Sequence, residues 1–155
     1  MDASQMEPCG IARSLGVLGE RWTFLIVREA LWGATRFGEF RDALGVAPDV
    51  LSARLARLVD AGVMERVPYR EPGSRGRWAY ELTPAGRDLQ VVLGAMQLWG
   101  DRHIPRPEGP SVERRTREGA RPVRVAFVDD EGHEVAPSEV ETVRRVPAPA
   151  RRVRS

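Results

Sequence analysis

The sequence predicts an α+β fold in which helices precede and follow a single β-hairpin. Apolar residues recur at helical spacing in residues 9–61 and again in residues 84–103. Between these stretches, two segments of alternating apolar and polar residues flank a turn rich in glycine, proline and arginine. A period of about 3.6 residues is typical of helices, and a period of about two is typical of half-buried strands.

The composition is that of a soluble globular protein. Hydrophobic residues make up 42% and charged residues 30% of the 155 positions, and no apolar run approaches the roughly 20 residues that span a bilayer. Residues 1–8 contain acidic groups but no basic segment, so we expect no secretory signal and a cytoplasmic location. The basic residues are all arginine and the formal net charge is only +2. Net charge alone therefore does not indicate a nucleic-acid partner.

The sequence does not indicate an enzyme or a metalloprotein. Cys9 is the single cysteine, so we expect no intrachain disulfide. His103 and His133 are far apart and in no spacing typical of metal ligands, so we expect neither a metal nor a cofactor. We find no set of nucleophile, base and acid, and no phosphate-binding loop.

Three helices are predicted in the first part of the chain. The first covers residues 9–18, and the second covers residues 21–32 and stops at Gly33. The third follows an N-cap at Thr35 and ends at Leu44.

The fourth predicted helix, residues 48–61, has two different faces. Leu51, Leu55 and Leu58 recur on the side that we expect to be buried. The opposite side is small and polar and includes Ser52. Two helices joined by a tight turn, the second with a narrow polar face, are typical of a helix-turn-helix, in which the second helix enters the DNA major groove.

A basic hairpin follows this helix directly. Residues 63–69 and 77–82 alternate like strands, and the segment between them contains turn residues. From Arg66 to Arg77 there are four arginines and one glutamate, a local charge of +3. A helix-turn-helix followed by such a hairpin is a winged helix, whose wing contacts phosphates or the minor groove.

The last predicted helix, residues 84–103, is capped by Thr83 and has proline at its first position. Its apolar side contains Leu89, Val92, Leu93, Met96 and Trp99. A helix this apolar at the end of a small domain needs a partner surface, and the first helix of a second subunit is the economical one. We therefore expect a homodimer built from the N-terminal and C-terminal helices.

Several short motifs occur in a specific order between Cys9 and Ile104. They are Cys9 itself and the segments 19–22, 36–40, 51–55, 58–62, 80–86 and 99–100. Together they resemble the HxlR-type regulators of the MarR-like winged-helix group. The resemblance implies a homodimer that binds double-stranded promoter DNA and, in several relatives, a thiol that senses electrophiles or oxidants.

A set of side chains on three elements is predicted to contact DNA, because serine and arginine bind base edges and phosphates. The set is Arg36 at the start of the third helix, Ser52, Arg54 and Arg57 on the fourth helix, and Arg70, Arg75 and Arg77 on the wing. Alternatives remain open for each group. Arg54 could pair with a neighbouring acid, Arg36 could pack with Glu39, and the wing arginines could simply solubilise a turn.

Cys9 is the candidate redox switch that the resemblance implies. The N-terminus of a helix favours the thiolate form of a cysteine. With one cysteine per chain, a reversible disulfide would have to join two subunits, or the thiol could be capped by a small molecule. The alternative is a small residue at a helix start that senses nothing.

Aromatic residues at helical or strand spacing are more often core than pocket. On that basis we interpret five aromatic residues as part of the core: Trp22, Phe37, Phe40, Trp78 and Trp99.

The chain is predicted to have one main domain and a tail. The predicted parts are a flexible N-terminus (1–8), the DNA-binding and dimerisation domain (9–104), a linker (105–110), a β-hairpin appendage (111–145) and a disordered basic end (146–155). In the appendage, residues 121–128 and 133–135 are the predicted strands.

These features predict a sequence-specific, DNA-binding transcriptional regulator, a homodimeric repressor on a pseudo-palindromic operator. The expected effector is an oxidant, an electrophile or a small molecule. The alternative is a winged-helix module that docks on another protein without specific DNA binding, but the basic wing favours DNA.

Overall fold

The structure, a computed structural model, describes residues 9–143 and residue 145. Its helices are α1 (Gly10–Leu18), α2 (Arg21–Leu31), α3 (Phe37–Leu44), α4 (Pro48–Asp60) and α5 (Pro84–His103). Strands β1 (Met64–Tyr69) and β2 (Arg77–Leu82) lie between α4 and α5, and the short strands β3 (Phe127–Val128) and β4 (Glu134–Val135) lie in the tail. The predicted α+β winged helix-turn-helix fold is confirmed. The segments predicted as a flexible start and a disordered basic end, 1–8 and 146–155, lie outside the described residues.

The core is built around α2, which contacts the other four main helices and β2. Ile26 and Val27 on this helix are completely buried. The predicted stripe of α4 is buried against them, with Leu51, Leu55 and Leu58 at most 1% exposed. Burial of this stripe leaves the other side of α4 facing solvent, as the sequence predicts.

The wing is an antiparallel pair whose register runs from Met64 opposite Leu82 to Tyr69 opposite Arg77. Its base is tied to the chain before α3, because the Tyr80 amide donates to the Thr35 carbonyl at 2.7 Å. The wing therefore extends from a fixed base on the helix-turn-helix.

The start of α3 differs from the prediction by one residue. Arg36 is the N-cap rather than Thr35. The reason is Glu39, whose carboxylate accepts hydrogen bonds from the backbone amides of both Thr35 (2.8 Å) and Arg36 (2.9 Å). A carboxylate that reaches back over a helix start satisfies two amides that would otherwise lack partners.

Helix α5 begins as predicted, with the Thr83 hydroxyl accepting from the Gly86 amide at 3.2 Å. Gly86 is required by packing, since a Cβ there would lie 2.1 Å from the Val63 carbonyl oxygen. Along the helix, Leu89 and Leu93 pack on the core.

The tail packs against the middle of α5. The side-chain amide of Gln97 donates to the Val112 carbonyl at 2.8 Å, and its oxygen accepts from Arg114. Gly94 is buried beneath the tail, and a Cβ there would lie 2.8 Å from a methyl group of Val125. These contacts seat the tail on one side of the helix.

The tail hairpin is much shorter than predicted. Residues 121–128 alternate like a strand, but the hairpin ladder contains just Phe127–Val128 paired with Glu134–Val135, and Pro122 forms an isolated bridge with Arg115. Earlier in the segment, the Val123 amide donates to the Arg114 carbonyl at 2.9 Å instead. Alternation marks residues able to form a strand, but a ladder also needs a partner strand of equal length.

The interpretation of the aromatics as core is confirmed for three residues and wrong for two. Phe40 is completely buried, and Trp22 and Phe37 pack against the core. Trp78 and Trp99 are 52% and 59% exposed.

No helix among the described residues is long and apolar enough to cross a membrane.

Candidate nucleic-acid interface

The outward face of α4 is narrow and polar. Ser52 and Ala53 are exposed, and so is Arg57 one turn later. Asp49 lies in the first turn of the helix. Small side chains of this kind allow a helix backbone to approach the floor of the major groove, where a serine hydroxyl can reach a base edge.

Arg54 is held at the edge of this face by an acid. Its guanidinium lies 2.8 Å from the Glu20 carboxylate, and its side chain is only 24% exposed. The Nε atom is buried and has no hydrogen-bond partner within the described part of the chain. Arg54 thus adopts the paired arrangement that the sequence left open, with an acid from the start of α2.

Arg57 also reaches back into its own domain. It donates a hydrogen bond to the carbonyl of Gly16, near the end of α1. The two arginines of α4 therefore fasten this helix to the α1–α2 region, one through a carboxylate and one through a backbone oxygen.

The wing tip is closed by its own hydrogen bonds. Arg70 Nε donates to the Ser74 carbonyl at 3.3 Å, and the Ser74 hydroxyl donates to the Glu71 carbonyl at 3.0 Å. Gly73 has a φ of +80°, which favours glycine at this turn.

Beyond the closed tip, Arg75 and Arg77 are exposed. Within residues 9–143 and 145 their guanidinium groups have no hydrogen bond or ion pair. These arginines are free to bind an anion without giving up a partner.

Arg36 connects α3 to the wing. Its guanidinium lies 2.5 Å from the Glu71 carboxylate and 4.8 Å from the centre of the Tyr69 ring. Both partners of the ion pair are 48% exposed. The expected packing pair with Glu39 is formed through the Arg36 backbone amide and not through its side chain.

The carboxyl of Glu39 has an altered acidity. The backbone hydrogen bonds from Thr35 and Arg36 lower its pKa, and the positive charge of Arg36 acts in the same direction. The ionised form of Glu39 accepts these hydrogen bonds. They therefore stabilise the start of α3 most strongly above the pH range in which carboxyl groups usually titrate.

Sequence reasoning missed the acids that engage these arginines. Glu20 and Glu71 are far from their partners in sequence, 34 and 35 positions away. The positions of these acids could have indicated their role, since Glu20 lies just before α2 and Glu71 is the acid inside an otherwise basic wing turn.

Cys9 is exposed and forms the N-cap of α1. Its side chain makes no capping hydrogen bond. It immediately precedes a helix whose Ile11 and Leu15 are 74% and 56% exposed.

With this geometry established, comparison with known proteins identifies the family. A model of the HxlR-like helix-turn-helix family matches residues 17–108. The chain belongs to the HxlR-like helix-turn-helix family.

Relatives and solved structures agree with this assignment. An uncharacterised HTH-type transcriptional regulator of Mycobacterium tuberculosis is 46% identical over 105 residues, covering 68% of this chain and 65% of the relative. The match thus spans just under two thirds of that protein's length. The HxlR-family chain is also similar to the structure of YodB from Bacillus subtilis in its reduced form, with 30% identity and a TM-score of 0.54 over 63% of this chain and 95% of that one.

The similarity to the solved structure of PA1607, a candidate transcription factor, extends further. It has 38% identity and a TM-score of 0.79, and it covers 92% of this chain and 99% of that one. The family match ends at residue 108, whereas this similarity leaves only about 8% of the chain uncovered. It therefore includes most of the tail that follows the family match.

Proposed function

We propose that this HxlR-family chain is a homodimeric repressor that binds a pseudo-palindromic promoter sequence through α4 and the wing. The observation that carries the proposal is the combination of a narrow polar face on α4 with exposed, unpaired arginines on the wing of the same described domain. A helix in the major groove with a basic hairpin on the backbone would read bases and bind phosphates at once.

In this proposal the candidate residues fall into two groups. The first is ready to contact DNA as it stands, and it consists of Ser52, Arg75 and Arg77. The second would contact DNA by exchanging an internal partner for a base edge or a phosphate, and it consists of Arg36, Arg54, Arg57 and Arg70.

Two exposed apolar stripes support the dimer. Val92, Met96 and Trp99 on α5 are 42%, 49% and 59% exposed, and they recur at helical spacing. The exposed apolar residues of α1 form a second stripe. Buried apolar area stabilises by about 25 cal/mol per Å², so a second copy that presents the same stripes would form a self-complementary interface.

Within the chain we assign DNA binding and dimerisation to residues 9–104 and treat residues 105–110 as a linker to the appendage, 111–145. A dimer that occupies a promoter would repress simply by blocking access to it. This is the reason for preferring repression over activation.

An oxidant response is the part of the proposal that depends on Cys9. The relative YodB has been solved in a reduced form and a diamide-treated form. Cys9 lies beside the α1 stripe, so oxidation that joined two such thiols would act directly on the proposed dimer. We expect Cys9→Ser to bind DNA as the wild type does but to lose any response to diamide; an unchanged response would remove Cys9 as the sensor.

The test of the proposal is a gel-shift titration with the protein's own upstream DNA, at two salt concentrations and against a scrambled competitor. We expect binding that resists the competitor and strengthens at low salt. Failure to find specific DNA would favour the protein-docking alternative.

Sedimentation equilibrium tests the dimer. Met96→Glu places a charge on the α5 stripe and should give a monomer that binds a half-site only weakly. The matched control is Val128→Glu, which alters a residue with 59% exposure in the tail hairpin and should remain dimeric. Equal association of the two variants would contradict an interface on α5.

A further inference from the structure

A cavity of about 280 Å³ lies between the end of α2, the first half of α5 and tail residues 112–117. Its polar lining includes Arg28, Arg87, Arg114, Arg117 and Gln90. Trp32, which is 58% exposed, forms part of the wall. The arginines come from three separate segments of the chain, so the cavity exists only when the tail is seated on the domain.

The charges of this cavity are unbalanced. The one acid in its lining is Glu113, whose carboxylate is bound by Arg115 at 2.5 Å. Within the described ranges, Arg87 and Arg117 have no hydrogen bond or ion pair for their guanidinium groups. By contrast, the neighbouring cavity of about 650 Å³ between α5 and the tail has two acids and two arginines in its lining.

The remaining arginines are held in place. Arg114 is oriented by the side-chain oxygen of Gln97. Arg28 is paired with the Glu29 carboxylate at 2.5 Å, and its guanidinium lies 5.0 Å from the centre of the Trp32 ring. Arg117 lies in a turn closed by Thr116, whose amide donates to the Arg121 carbonyl at 2.9 Å. The other three arginines, Arg87, Arg114 and Arg117, have no acidic partner among the described residues. Gathering like charges costs free energy through their mutual repulsion, and an anion between them would offset that cost.

We propose that this cavity binds a small organic or inorganic polyanion that carries at least two carboxylate or phosphate groups. A guanidinium group binds both groups with paired, charge-assisted hydrogen bonds. Ligand pockets usually measure about 300–1,000 Å³, so the cavity suits a compact anion and not a large ligand. Such an anion would bridge α2, α5 and the tail.

The cavity would be the binding site for a small-molecule effector of the proposed regulator, and this role of the anion rests on the proposed function. Binding of the anion itself requires no DNA. A titration without DNA therefore separates failure of this site from failure of the proposed promoter binding.

The experiment is isothermal titration calorimetry of the full chain with inorganic pyrophosphate and with citrate, at about 0.15 M salt so that distant charges are screened. We expect saturable binding of one anion per chain. Arg87→Gln and Arg117→Gln should each weaken it about ten-fold, since a charge-assisted hydrogen bond contributes that much.

The control is Arg106→Gln, which removes the same charge from a residue that lies outside the cavity and pairs with Glu108. It should bind both probes as the wild type does. Absence of saturable binding by either probe would overturn the proposal, as would equal weakening in the control. Loss of DNA binding in the Arg87 and Arg117 variants without any anion binding would also overturn it, because those arginines would then serve DNA.

Discussion

The arginines of α4 and those of the wing lie on one candidate interface but in different states. Arg54 and Arg57 already have partners inside the domain, a carboxylate and a backbone carbonyl. Arg75 and Arg77 are exposed and have no such partner among the described residues. Residue type alone therefore does not measure how readily an arginine binds DNA.

The difference has an energetic consequence. A wing arginine that meets a phosphate gives up mainly water and side-chain freedom. Arg54 must also give up its bond to Glu20, and it would leave that carboxylate unpaired. We therefore expect the wing to supply salt-dependent affinity, and the arginines of α4 to supply affinity only where the DNA offers a better partner than the domain does.

The largest effect should come from removing the free wing arginines. For the double variant Arg75→Ala/Arg77→Ala we expect operator affinity to fall at least about ten-fold. The salt slope, which is the steepness of the fall in log affinity with log salt concentration, should decrease by about two, one unit per arginine. Thermal stability should not change. Gel shifts at several salt concentrations measure both quantities. Arg106→Ala/Arg121→Ala removes equal charge elsewhere, and a similar loss there would mean that only overall charge matters.

The next effect concerns Arg54, where stability and DNA binding can be separated. Arg54→Gln should lower the free energy of unfolding by about 1–2 kcal/mol, because Glu20 loses its partner. Glu20→Gln should cost less, about 0.5–1 kcal/mol, and should raise operator affinity by releasing Arg54. Urea unfolding and gel shifts of both variants measure this. If both variants lose stability and neither changes DNA affinity, Arg54 holds the fold together and does not read DNA.

A third variant, Glu39→Ala, tests the helix start beside Arg36 without altering an arginine. Loss of its two backbone hydrogen bonds should cost about 1 kcal/mol of unfolding free energy at neutral pH. Because the folded-state pKa of Glu39 is lowered, this contribution is present above the ordinary carboxyl pKa and is lost as the pH falls through the lower folded value.

Urea unfolding across the acid range should therefore show the wild type and Glu39→Ala converging as the pH falls. Glu118→Ala, at an exposed carboxylate in the tail, provides the control. A constant difference between wild type and Glu39→Ala at every pH would contradict this role for the ionised carboxylate.

The smallest effect is expected at the contact between wing and α3. Glu71→Gln should change stability by less than about 1 kcal/mol, because the Arg36–Glu71 pair is half exposed. It should increase DNA affinity slightly and make the salt slope steeper by up to about one unit as Arg36 becomes free. An unchanged slope would leave Arg36 engaged by Tyr69 and outside the interface.

Local patterns in the sequence were sufficient to predict most of the fold. The buried stripe of α4, the register-forming strands of the wing and the Thr83 cap of α5 depend on residues close together in the chain. Periodicity and capping are local properties, so one sequence is enough to read them. The same reasoning predicted the arginines of the candidate interface.

Reasoning from local sequence patterns was less successful where burial depends on distant parts of the chain. Trp78 and Trp99 have the spacing of core residues, yet they remain exposed because no element of the described chain covers them. The tail strand begins six residues later than predicted for a similar reason, since most of its predicted length had no partner strand.

The sequence by itself thus determined the elements, their order and the kinds of side chain on the candidate interface. The tertiary structure decided which of those side chains are free. Glu20 reaches Arg54 and Glu71 reaches Arg36 only because packing brings segments more than 30 positions apart to within hydrogen-bonding distance. Likewise, the arginines of α2, α5 and the tail surround one cavity only because Gly94 lets the tail approach the helix. Patterns along a chain encode neighbours in sequence, and only folding chooses the neighbours in space.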